Sequence, residues 1–410
     1  MLQQNRWSSL PDDIIAKIIS HLDVIPRGST ITISTTNFDV KLYKRDTNNI
    51  SEFWSILDNL FTIFTTPCIE NFSIDLDHTL YDEPCVRPIL YSWARRLRAC
   101  SIKHIAIQSL ARCHFGDRVC PPSVFQIHSL VSLRLSSLFI NNEYDRFVSL
   151  PIILPNLEDL SIGYVKYGLL GRLLSSCPSL TRLCFSLVVE PKDEIFSVSI
   201  SSKSLKRLNI FLDMLSVRED IDVIIDAPIL EHLYFSANNS SFLSMRTFNS
   251  ISNLKSLTLG GGLATKLFNS PTKIIFPNLT YLALFSVNSS LIFNATLKQQ
   301  ILHCPKIEVL LLHFSVLCKI VWDTKAILLV PIEHVKHLTL DMTILRINRQ
   351  TLNFVTWLLR SAPVLKKLVI RGYGTRPSDD SLSEFCKTLL KCAEDTSRCQ
   401  IDFLGGYKLD

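Results

Sequence analysis

The residues best suited to chemistry stand in three places. Glu333-His334-Val335-Lys336-His337 holds two imidazoles and a carboxylate. Its order differs from His-Glu-x-x-His, in which two histidines one helical turn apart hold zinc and the glutamate serves as base. His334 and His337 therefore read as solvent-facing residues flanking a strand. Cys113, His114 and Cys120 offer metal ligands. A structural zinc site takes four ligands, usually in paired short spacings, and no second pair follows. Gly260-Gly261-Gly262 follows an expected strand. A phosphate cradle would add a later glycine or a Lys-Ser/Thr pair, so this run reads as an ordinary turn. The sequence has no Gly-x-Ser-x-Gly elbow and no Walker loop. No catalytic, cofactor-binding or metal-ligating residue is assigned, and the chain reads as non-catalytic. Cys100, Cys177 and Cys304 fall at the ends of expected return segments, where a small buried hydrophobe is the natural role.

The elements that position these residues come from a repeat. The pattern apolar-x-x-apolar-x-apolar occurs at Ile69/Phe72/Ile74, Ile102/Ile105/Ile107, Leu130/Leu133/Leu135, Leu157/Leu160/Ile162, Leu180/Leu183/Phe185 and Leu205/Leu208/Ile210. It continues at Leu230/Leu233/Phe235, Leu254/Leu257/Leu259, Leu279/Leu282/Leu284, Ile307/Leu310/Leu312, Val335/Leu338/Leu340 and Leu365/Leu368/Ile370. Successive copies begin 23 to 33 residues apart, close to the period of leucine-rich repeats. The last two apolar residues of each copy are two apart, so in a strand they face the same way. One repeat cannot bury them alone, but stacked repeats bury them in a continuous core. The expected fold is α/β: an irregular leucine-rich-repeat solenoid with a parallel concave sheet and a helical or irregular convex side.

The return segments support this. Leu169, Leu170, Leu173 and Leu174 make a one-sided helical stripe, as do Leu352, Val355, Leu358 and Leu359. Proline closes the segments at Cys177-Pro178, Ala227-Pro228, Phe276-Pro277, Cys304-Pro305 and Ala362-Pro363, because it disfavours the helical state of its predecessor. The usual repeat has Asn or Cys three residues after the last strand leucine. Here those positions hold Leu138, Val165, Val188 and Val287, with Asn238 the fitting case. No continuous asparagine ladder is expected.

Composition bounds the function. Hydrophobic residues make up 47% and charged residues 20% of the 410, enough for a large core. The net charge of +6 is mild. Its densest cluster, Arg95, Arg96, Arg98 and Lys103, reads as a solvated helix face, so no nucleic-acid partner is assigned. No apolar run is long enough to span a bilayer, and Met1 to Trp7 does not read as a signal peptide. The expected setting is intracellular, cytoplasm or nucleus, where the twelve cysteines stay reduced.

Residues Trp7 to Asp23 hold a short amphipathic helix. Pro11 suits its first turn, Asp12 and Asp13 complement its dipole, and Ile14, Ile15, Ile18, Ile19 and Leu22 form the stripe. From pattern alone it is a cap packed on the solenoid. The run Leu10-Pro11-Asp12-Asp13-Ile14-Ile15, with Ile18 and Leu22, also resembles the opening of an F-box. Ile50 to Asp77, with Phe53, Leu57, Cys68, Ile69 and Phe72, is similar to the segment following the F-box in plant F-box/leucine-rich-repeat/FBD proteins. Pro121 to Leu135, Phe354 to Ile370 and Cys386 to Phe403 resemble later parts of that family. The resemblance implies a substrate-recognition subunit of an SCF-type cullin ubiquitin ligase. Leu10, Pro11, Ile14, Ile15, Ile18 and Leu22 would then meet a Skp-type adaptor, and the solenoid would hold a target protein.

The sequence departs from the family after Leu22, where Val24-Ile25-Pro26-Arg27-Gly28-Ser29-Thr30 replaces the second half of the F-box. The F-box is read as truncated. The expected organisation is a partial F-box-like helix over 1–23, a linker and helical lead-in over 24–66, a solenoid over 67–330, and FBD-like repeats with a cap over 331–404. Residues between the buried strand positions shape the expected partner face: Arg134, Ser161, Asn209, Tyr234, Thr258 and Ala283. Two other readings stand beside the ligase subunit. One is an interaction solenoid that joins no ligase because its F-box is incomplete. The other is a small-molecule receptor, by analogy with the hormone-receptor F-box proteins.

Overall fold

The computed structural model describes residues 30–34, 36–42, 50–64, 69–76, 86–109, 121–140, 151–165, 167–189, 197–214, 221–237, 243–244, 251–260, 263, 275–287, 304–314, 332–342, 349–372, 387–391 and 399–405. The F-box-like residues Leu10, Pro11, Ile14, Ile15, Ile18 and Leu22 lie outside them, as do Cys113, His114 and Cys120. The chain divides into two compact units, residues 1–189 with 202–205, and residues 190–201 with 206–410.

The first unit opens with a hairpin. Strands β1 (Thr30–Ile33) and β2 (Asn37–Leu42) pair antiparallel. The stretch read as linker thus carries sheet. Thr30, Thr32 and Thr36 are exposed there, while Ile33, Phe38 and Val40 are buried. After β2 come helix α1 (Ile50–Phe64), β3 (Asn71–Leu76), helix α2 (Val86–Leu97) and β4 (His104–Ser109). A 3-10 turn at Pro122–Gln126, β5 (Ser132–Ile140), β6 (Asp159–Val165), helix α3 (Tyr167–Ser176) and β7 (Arg182–Val189) complete the unit. From β2 to β7 the strands are parallel neighbours in chain order. Large aromatics fill the N-terminal part of this core. Phe38, Phe61, Phe72 and Trp93 surround one another with ring centres 4.6–5.8 Å apart.

In the second unit β9 (Arg207–Met214), β11 (His232–Ala237), β13 (Ser256–Leu259), β14 (Tyr281–Val287), β15 (Val309–Phe314), β16 (His337–Met342), β17 (Lys367–Gly372) and β18 (Gln400–Gly405) form the corresponding parallel sheet. Helix α4 (Arg349–Ser361) returns the chain to β17. Three return segments are strands instead. β8 (Ser197–Ser201), β10 (Ile221–Asp226) and β12 (Leu243–Ser244) form a second small parallel sheet. Val198 and Ile200, and Val223 and Ile225, alternate inward from it.

All twelve copies of the repeat pattern lie where the period places them, each with its last two apolar residues on a strand. Their apolar residues are buried, each contributing about 1.5–3 kcal/mol relative to exposure. Two further strands follow the same logic without the leading apolar residue. In β2, Phe38 and Val40 follow Thr35. In β18, Ile401 and Phe403 follow Arg398.

Backbone groups make the joint between repeats. At most joints the carbonyl just before a strand accepts two N–H groups from the next repeat. Glu70 O takes Lys103 N and His104 N, Lys103 O takes Val131 N and Ser132 N, and Val131 O takes Glu158 N and Asp159 N. The same double acceptance recurs at Glu158, Lys206, Glu231, Lys255, Thr280, Glu308 and Lys336. Proline sets the preceding turn. In Leu154-Pro155-Asn156-Leu157, Cys177-Pro178-Ser179-Leu180, Ala227-Pro228-Ile229-Leu230, Phe276-Pro277-Asn278-Leu279, Cys304-Pro305-Lys306-Ile307 and Ala362-Pro363-Val364-Leu365, the fourth N–H donates to the first carbonyl. Proline supplies the φ that the second turn position needs. Short polar side chains add to the joint. Asn156 donates to His128 O at 2.9 Å, Ser179 to Pro155 O at 2.9 Å and Asn253 to Pro228 O at 2.7 Å. These contacts supply the inter-repeat bonding that an asparagine ladder would otherwise provide.

Candidate interaction face

Every second strand residue turns away from the core, so each unit presents a solvent face of aligned side chains. In the first unit one register row reads Asp39, Ser73, Ala106, Arg134, Ser161, Cys184. Arg134 is exposed and Ser161 half-buried.

Two charged features mark this face. Across β2 to β4, Asn37, Asp39, Lys41, Asn71, Ser73, Asp75 and Gln108 line an open cavity of about 560 Å³. Asn71 donates to Asn37 Oδ1 at 2.6 Å, which orients both amides. Burial pushes the Asp75 carboxyl above its usual value. Lys41 pulls it down and Asp39 pushes it further up. Asp75 Oδ1 is buried with no hydrogen-bond partner among the described residues. At β5 to β7, Asp159 receives Arg134 Nη2 at 3.0 Å and Arg182 Nη2 at 3.3 Å. Asp159 is 7% exposed, while both arginine side chains stay about half exposed. One carboxylate thus aims two guanidinium groups and leaves a net positive charge. Sequence reading missed this triad because its members lie 23 to 25 residues apart.

In the second unit the row reads Asn209, Tyr234, Thr258, Ala283, Leu311, Thr339, Val369, Asp402. Asn209 is exposed, and Tyr234 and Thr258 are half-buried. Ala283 departs from expectation. It is 0% exposed, its methyl lying between the longer Thr258 and Leu311 of the flanking strands. It offers no surface to a partner. Phe211 stacks at a tilt on Tyr234, ring centres 4.9 Å apart, and remains 38% exposed. Burial holds the His232 imidazole below its usual value. Arg207 and Lys255 add to this, and Glu231 opposes it. Lys367 and Asp402 pair at 2.7 Å at the far end.

Of the other sequence candidates, His337 lies on this face, two residues before Thr339 on β16. His334 is exposed beside β16, and His337 is its exposed first residue. Leu263 N donates to Gly260 O at 3.4 Å, and Gly261 and Gly262 lie outside the described residues. Arg95 and Arg98 are exposed on and beside α2, and Arg98 donates to Gln126 Oε1 at 2.8 Å. Cys177 and Cys304 are buried, which pushes both thiols up to about 12. Among the described residues no three His, Cys, Asp or Glu groups converge as a metal site. No described helix is long and apolar enough to cross a membrane.

Stacked parallel strands, proline-closed turns and an open strand face define a leucine-rich-repeat protein. Its repeat region is similar to that of plant F-box/FBD proteins, as the sequence resemblance indicated. Residues 90–246 match the family model described as FBD-associated F-box protein At5g56370, LRR repeats. The chain is 28% identical over 257 residues to F-box/FBD/LRR-repeat protein At1g51370 of Arabidopsis thaliana, covering 59% of this chain and 53% of the relative. It is 28% identical over 247 residues to the putative FBD-associated F-box protein At5g53635 of the same plant, covering 57% and 54%. It is 27% identical over 238 residues to F-box protein At4g09920, also from Arabidopsis thaliana, covering 55% and 71%. The alignments with the first two span about half of each relative's length.

Proposed function

We propose that this chain is a substrate-recognition subunit of an SCF-type cullin ubiquitin ligase. Its strand faces hold a target protein, and Leu10, Pro11, Ile14, Ile15, Ile18 and Leu22 meet a Skp-type adaptor. The work is positioning rather than bond-making: holding a target beside a transfer centre raises its effective concentration. The observation that carries the reading is the solvent face of the sheet. Side chains of neighbouring repeats align there in register, with the Arg134–Asp159–Arg182 triad fixed among them. The names of the relatives supply the link to F-box proteins.

A second reading is an interaction solenoid that joins no ligase. The position of β1 favours it. β1 starts at Thr30, eight residues beyond Leu22. Sheet therefore occupies the stretch where the family pattern would continue its F-box. A pull-down of the full chain with a purified plant Skp-type adaptor separates the two. Binding that Leu10→Ala/Pro11→Ala abolishes supports the ligase subunit. No binding by a folded sample supports the interaction solenoid.

A further inference from the structure

We propose that the face of the first unit takes an extended target segment lying across its strands, with a basic side chain over Asp39 and Asp75 and an acidic one over Arg134 and Arg182. This rests on the reading that the strand faces bind a protein target.

The geometry comes from one register row. Asp39, Ser73, Ala106 and Arg134 are successive partners on β2, β3, β4 and β5. Three strand spacings separate the ends, about 14 Å. Ser73 and Ala106 between them are short, so the row is a trough with a low floor and a charge of opposite sign at each end. An extended chain advances about 3.3 Å per residue, so the two target side chains stand about four residues apart.

Each end carries an excess of one charge. At the first, Asp39 and Asp75 outnumber Lys41 on the cavity wall. Asp75 Oδ1, buried and without a hydrogen bond among the described residues, needs a donor. A buried acceptor left unpaired is costly, and an ammonium or guanidinium group entering the cavity would satisfy it. At the second, Asp159 occupies one edge of two guanidinium groups that stay about half exposed. Each guanidinium carries five N–H donors in a planar fork suited to a carboxylate. The net charge there is positive, so the complement is an anion.

The test is panning of a phage-displayed library of random twelve-residue peptides against the full chain at low salt. The counter-screens are Asp39→Asn/Asp75→Asn and Arg134→Glu/Arg182→Glu, each checked by circular dichroism for an unchanged fold. The proposal expects enriched peptides carrying Lys or Arg and, three to five residues away, Asp or Glu. Their binding should fall at least tenfold in both double variants. Enriched peptides without that pairing, indifferent to both variants but weakened by Tyr234→Asp, would overturn the proposal and leave the second unit's face as the binding surface. Absence of any enrichment would count against both the proposal and the reading beneath it.

Discussion

Trp93 on α2 donates its indole N–H to the Asp58 carboxylate on α1 at 2.7 Å, while its rings stack on Phe61 with centres 4.6 Å apart. One side chain thus ties α1 and α2 to the aromatic core. Trp93→Phe keeps much of the packing but leaves Asp58 without this donor. A loss of about 1–3 kcal/mol is expected in urea unfolding. Trp93→Ala also opens a cavity and should cost about 3–5 kcal/mol. A Trp93→Phe cost near zero would show that the hydrogen bond contributes nothing.

Asp75 works against stability at neutral pH. Its folded-state carboxyl lies above the ordinary value, chiefly through burial. As pH rises from the unfolded value of 3.8 through the folded one, the unfolded chain releases its proton first, so stability falls. Above that window the cost is constant. Asp75→Asn should therefore stabilise the chain at pH 7, and the gain should fade as pH drops through the window. Melting temperatures of both proteins across pH 3 to 7 check this. A gain independent of pH would exclude the carboxyl as its source.

Glutamates at the repeat joints have the opposite sign. Lysine hydrogen bonds hold Glu231 (through Lys255) and Glu308 (through Lys336) below the usual carboxyl value. Both are at the surface, so the stabilisation is small and screened by salt. It is present above 4.5 and lost as pH falls through the folded values. Added salt should flatten this acid limb of the stability curve while leaving the Asp75→Asn difference largely intact.

Cys177 and Cys304 should resist alkylation. Burial raises both thiols to about 12, and the thiolate is the reactive form. Iodoacetamide at pH 8, followed by peptide mass spectrometry, should leave both unmodified in the native chain and modified in urea. Prompt native labelling of either would contradict its burial.

Gly260 meets the neighbouring strand closely. A Cβ built there would lie 2.6 Å from Ser236 Oγ and 3.1 Å from Ser236 Cβ. Gly260→Ala should cost about 1–3 kcal/mol by overpacking. Ser236→Gly in the same chain should recover part of it, since the two sites couple directly. Additive effects in the double-mutant cycle would exclude the clash as the cause.

Much of the fold was legible because the repeat states its own period. The pair Leu133/Leu135, two apart and behind Leu130, specifies a strand, its inward face and its turn. β2 and β18 escaped because Thr35 and Arg398 stand where the leading apolar residue belongs, and a pair such as Phe38/Val40 is too short a signal alone. β8 and β10 escaped for a similar reason: their short alternations arise in return segments where helix or irregular chain was expected. Alternation put Arg134, Ser161, Asn209, Tyr234 and Thr258 on outward strand positions, where the structure has them. It failed at Ala283, because facing outward is not being exposed when the neighbours are longer. The Arg134–Asp159 pairing was illegible, since register between repeats depends on the length of each return segment.

The carbonyl joint separates two duties that most folds assign to the same side chains. Stacking is specified by main-chain groups, prolines and inward leucines, none of which projects onto the strand face. Exposed outward positions such as Arg134 and Asn209 can therefore be rewritten one repeat at a time without disturbing the stacking. A chain built this way is a printing frame: the type can be reset while the frame stays locked. Recognition of a new target then requires a handful of outward substitutions rather than a new fold.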